Sequence, residues 1–182
     1  ELVGNSRSIV VSDQSGKSNI ISRLNSIGIE FEENDPKIKK LLDEVKGREF
    51  IGYSYDGADA SFELLARRVM GEIPRYMSIK EYDVSVKKSS SGEIISYAKA
   101  ELEVDGKKII CEGEGNGPVN ALDNAIRKNV NKLAKYSEYL KDLKLVDYKV
   151  RILNTGTGAV TRVSIESADS KHDNWFTIGV SP

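Results

Sequence analysis

The chain has 182 residues, 30% charged and 39% hydrophobic, with a formal net charge of −1. That is one large domain or two small ones, with no electrostatic case for nucleic acid or an anionic membrane. A single cysteine, Cys111, makes no internal disulfide, and no signal peptide or long apolar run is present, so the chain reads as cytoplasmic, with no membrane partner.

The first seventy or so residues read mostly as helices. Ile9, Val10 and Val11 within Ser8 to Ser12 suggest a short strand. From Gly16, Ile20, Ile21, Leu24 and Ile27 fall on one helical side and Gly28 is the stop. Asp35-Pro36 is an N-cap followed by proline at the first helical position; Ile38, Leu41, Leu42 and Val45 then repeat at helical spacing before Gly47. A third helix starts near Asp56 to Asp59, carries Phe62, Leu65 and Val69, and stops at Gly71.

After Pro74 the period changes from 3.6 to 2. Tyr82, Val84 and Val86 alternate with charged or polar residues, as do Ala98, Ala100, Leu102 and Val104, which predicts half-buried strands. Asp105-Gly106 offers a tight hairpin into a third strand through Ile109 and Cys111. Gly115-Asn116-Gly117-Pro118 then opens one long helix with Leu122, Ala125, Ile126, Val130, Leu133 and Leu140 on its apolar face. The pattern begins again with Tyr148, Val150 and Ile152, then Thr161, Val163 and Ile165, then a strand from Trp175 to Val180. The expectation is an α+β chain: a helical subdomain over residues 1–72, then residues 73–182 as a duplicated β-β-β-α domain whose second copy lacks its helix. Gly115 and Pro118 match Gly179 and Pro182. That match predicts a closing helix beyond residue 182, and Glu1, an odd first residue, suggests a start inside a longer chain.

Catalytic equipment is sparse. His172 is alone, in a polar loop, so neither a histidine metal site nor a triad with a second imidazole can be assembled. Ser15-Gly16-Lys17-Ser18 has the end of a phosphate loop but carries Val11 where the first glycine belongs, which leaves a helix start that could hold an anion weakly. Tyr53-Ser54-Tyr55 reads as packing, and the basic residues Arg127, Lys128, Lys132 and Lys135 as a solvated face. Gly115 to Pro118 has two readings. Glycines permit positive φ and close backbone approach, and a helix start suits a carboxylate; a plain strand-to-helix turn with a proline cap is the simpler one.

Several runs in order resemble one family. Val3-Gly4-Asn5, Ser12 through Ile20, and Gly52-Tyr53 through Leu65 look like the linker region of citramalate synthases, and Glu114 through Asp123 with Asp147 through Leu153 resemble that family's regulatory domain. The resemblance implies the linker and regulatory portion of an acyltransferase of the citramalate or 2-isopropylmalate synthase type. Such enzymes join acetyl-CoA to a 2-oxo acid with a divalent metal in a TIM barrel, which would precede this chain; no cofactor and no catalytic residue is expected here. It further implies a homodimer and a feedback inhibitor, isoleucine or leucine, beside Gly115, Asn116, Gly117, Val119 and Asn120 and beside Tyr148, Ile152, Ala159 and Thr161. Gln14 stands where the leucine-pathway enzymes carry histidine, which favours citramalate. The alternatives are a leucine-sensing 2-isopropylmalate region and a stand-alone small-molecule-binding or scaffold module.

Overall fold

The computed structural model describes residues 16–32, 34–156, 158–172 and 174–181. In chain order these form α1 (Lys17–Ser26), α2 (Pro36–Phe50), α3 (Asp59–Met70), β1 (Met77–Lys88), β2 (Ile94–Val104), β3 (Lys107–Gly115), α4 (Pro118–Val130), α5 (Ala134–Leu140), β4 (Lys144–Ile152), β5 (Thr161–Ala168) and β6 (Trp175–Ser181). The strands make two antiparallel sheets, ordered β1-β2-β3 and β4-β5-β6. The α+β class is therefore as the sequence predicts. The strand expected at Ser8 to Ser12 lies outside the described residues, as do Val11, Ser15 and Pro182.

Contacts group the chain into two compact units, Glu1–Pro74 with Lys144–Pro182, and Arg75–Leu143. The second sheet thus groups with the helices, where the sequence repeat groups it with the first sheet. The repeat is a likeness of pattern and the units are a fact of packing.

In the first unit, α1 to α3 bury Ile20, Leu24, Ile38, Leu41, Val45, Tyr55, Phe62 and Leu65 around one core. Arg23 is buried with them. It donates to the Tyr55 carbonyl, ion-pairs with Asp59, and lies over the Phe62 ring, 4.5 Å from its centroid. Asp35 caps α2 by accepting from Lys37 N at 2.8 Å. All three helices close alike. Gly28, Gly52 and Gly71 take positive φ, and the next residue's N–H reaches back to Leu24, Arg48 and Arg67 carbonyls. Gly47, expected to end α2, lies inside it; Gly52 is the stop. A glycine ends a helix only where the chain turns left-handed, and at Gly47 the ladder simply continues. Sheet β4-β5-β6 adds to this unit through β6, which packs on α3.

In the second unit α4 lies across β3 and β2. Ala98, Ala100, Leu102, Val104 and Cys111 meet Ala121, Ala125 and Val130, all buried. Burial pushes the Cys111 thiol up. The turn at Asp105-Gly106 has both residues at positive φ, as the hairpin required. The single long helix expected after Pro118 is two. Between α4 and α5, Lys132 and Leu133 make tight bonds to Asn129 and Val130 carbonyls, and Leu133 turns extended. That break brings Leu133, Tyr136 and Leu140 back onto the same core; a straight helix would carry them away.

Both first strands hold a register shift at matching points, Ile79/Glu81 and Leu145/Asp147, just before Tyr82 and Tyr148. The extra residue resets alternation, so Met77 and Ile79 share a face with Tyr82, Val84 and Val86. The duplication therefore extends to the bulge. Tyr82 and Val86, expected inward, are 63% and 56% exposed, because the helix packs chiefly on the other two strands. β4 is exposed throughout.

Candidate functional site

The first group of candidate residues surrounds the start of α4. Gly117 is its N-cap, extended at φ −164°, and supplies no capping side chain. Pro118 at the first position has no N–H. The N–H groups of Val119 and Asn120 therefore project past the helix end, where the peptide dipoles favour an anion. Asn120 is held: its Oδ1 accepts from Asn116 N at 3.2 Å and from Asn124 Nδ2 at 3.5 Å. Val119 is exposed beside it.

Neither glycine of this turn has positive φ; close backbone approach, the other property expected of them, is what Gly115 provides. A Cβ on Gly115 would lie 2.5 Å from Ala121 N and 2.5 Å from Asn120 Oδ1; Gly115 is there so that the helix can sit on the strand. Gly113, unremarked in the sequence, does the same under Ala125. Around Gly117 the space is open, which leaves the approach to the helix end clear.

The second group belongs to the other compact unit. Tyr148 pairs with Ile165 and Ile152 with Thr161, so all four share one face of β4 and β5. Thr161 Oγ1 donates to the Ser181 carbonyl at 3.4 Å. Ala159 is partly buried in the loop that precedes Thr161, a loop closed by Leu153 N donating to the Val160 carbonyl and Val160 N to Asn154 Oδ1.

Of the other motifs, Gly16 begins α1 in extended conformation. His172 is in a loop, its Nδ1 2.9 Å from Asp169, and the imidazole holds that carboxyl below its usual range. The basic face of α4 and α5 is partly neutralised: Arg127 pairs with Asp123, and Lys135 with Asp105. Among the described residues no three His, Cys, Asp or Glu side chains converge as a metal site, and no helix is long and apolar enough to cross a membrane.

The profile of the LeuA allosteric (dimerisation) domain matches residues 56–182. The chain belongs to that family. It is also 44% identical to an (R)-citramalate synthase of Aquifex aeolicus over 184 residues, and 43% identical to one of Geobacter sulfurreducens, each alignment covering 100% of this chain and 34% of the relative. One of Sulfolobus acidocaldarius is 36% identical over 99% of this chain and 32% of its own length. The chain thus spans about a third of the length of these relatives. The LeuA match begins at Asp56, inside the helical region, and the citramalate synthase likeness reaches through both.

Proposed function

We propose that this chain is the amino-acid-sensing, dimer-forming region of a cytoplasmic acyltransferase that condenses acetyl-CoA with a 2-oxo acid, pyruvate giving citramalate. Isoleucine, or failing that leucine, binds as feedback inhibitor. Its carboxylate is taken by the N–H groups of Val119 and Asn120 and its ammonium by a carbonyl or carboxylate; the Ile152–Thr161 face of the other unit is a separate apolar surface that responds to the amino acid. The observation that carries this reading is the start of α4, where the N-cap Gly117 offers no capping side chain and the space where its side chain would stand is open. Condensation, with its divalent metal, belongs to a barrel outside this chain. Apolar residues left open on β1 and β4 support a homodimer.

Calorimetry with isoleucine, leucine and valine tests the effector. Leucine alone binding favours the 2-isopropylmalate branch instead. Gly117→Leu puts a side chain into the open approach without touching the seat of the helix. It should weaken binding at least about tenfold with folding intact. Unchanged affinity in that variant removes the assignment.

A further inference from the structure

Strand alternation separates neighbours. Ile152 and Thr161 face each other on one side of the β4–β5 pair, and the next residues along each chain, Leu153 and Arg162, point the other way. Both end at one place, the corner after α2. Arg162 Nε donates to the Gly52 carbonyl at 2.5 Å. Leu153 Cδ1 occupies the space where a side chain on Gly52 would begin, with Val180 Cγ1 3.5 Å from the same point. Gly52 itself turns at φ +111°. A second tie lies further along, where Ile178 N donates to Ser61 Oγ of α3 at 2.9 Å.

We infer that Arg162 and Leu153 form a latch that carries occupancy of the Ile152–Thr161 face to the α2–α3 corner at Gly52, and so transmits inhibition. This rests on the effector reading above. Consecutive Cα atoms are fixed about 3.8 Å apart, so a ligand that shifts Ile152 or Thr161 drags its neighbour with it. At the corner that shift meets no slack, because Leu153 already fills the space beside Gly52 and packed interiors transmit displacement. A short charge-assisted hydrogen bond weakens steeply once its angle opens. Arg162 is a positioning residue here; it touches neither reacting atoms nor the effector.

The test uses the full-length protein. Arg162→Met keeps the stem and removes the donor. It should bind the amino acid within about threefold of the unsubstituted protein, while inhibition at saturation falls at least about fivefold. Hydrogen exchange across Gly52 to Ser61, altered by the amino acid in the unsubstituted protein, should no longer respond. If Arg162→Met does not fold by circular dichroism, Leu153→Ala, which only opens space beside Gly52, is read the same way. Binding with full inhibition and an unchanged exchange response in the folded variant overturns the latch and leaves the effector reading standing. No binding of either amino acid to the unsubstituted protein overturns both.

Discussion

A single atom decides what the turn before α4 tolerates. Gly115→Ala places a methyl 2.5 Å from backbone of α4, so the helix must lift from the sheet, at a cost of about 1–3 kcal/mol. Gly117→Ala meets nothing and sits at an extended φ any residue adopts, so its effect should stay within about 0.5 kcal/mol. Urea denaturation of the pair checks this, and equal costs would contradict it. Tyr55 is another such residue. Burial pushes its phenol up to about 12, against the pull of Arg48. The folded state holds that proton more tightly than the unfolded chain, so its stabilising share is complete below pH about 10 and is lost as pH rises through about 12. Stability followed across that window should decline less steeply in Tyr55→Phe; parallel curves would exclude Tyr55 as the cause. None of this distinction was legible in the residue string. Gly115 and Gly117 look alike there, and only the distance to the helix separates a seat from an open approach. Tyr55 read as packing, which it is.

At the level of elements, α2 runs through Gly47, which is exposed on the helix surface, and a methyl added there would meet nothing within 4 Å. Gly47→Ala should therefore stabilise the unit by about 0.5–1 kcal/mol, read as a higher urea midpoint with unchanged slope. A loss of stability would mean that the ladder is not continuous there. Periodicity made the first three helices and the six strands legible, since the alternation of Tyr82, Val84 and Val86 or of Tyr148, Val150 and Ile152 has no helical reading. Ends were harder. Gly47 and Gly52 are both glycines, and the choice falls to Tyr53 N–H, which returns to the Arg48 carbonyl at 3.0 Å. The break before α5 was hidden for a related reason: apolar spacing runs straight across Asn131 and Lys132, and only the core beneath draws Leu133 back.

For the whole molecule, the open apolar faces are the surfaces on which the proposed dimer is tested. Val150 is 56% exposed and Ile152 65%, on the same face as Tyr148. Val150→Glu leaves the buried core untouched, and should weaken the proposed dimer at least about tenfold in sedimentation equilibrium. An unshifted equilibrium would place the interface elsewhere. The repeat itself was legible from Tyr82 against Tyr148. The grouping of the second sheet with the helices was not, because Arg162 in an alternating strand reads as a solvent-facing charge; its bond to Gly52 spans 110 residues and leaves no local trace.

The bare outer strand has one more consequence. β4 borders its sheet, so its outward row of main-chain N–H and C=O groups is a template on which identical strands could stack into fibres. Asp147, Lys149 and Arg151 interrupt the apolar run at every second position, and Lys149 pairs with Asp147 at 3.2 Å rather than with a neighbouring strand. Charges in that alternation disfavour the stacking of identical strands, which is the general physical protection of an exposed sheet edge.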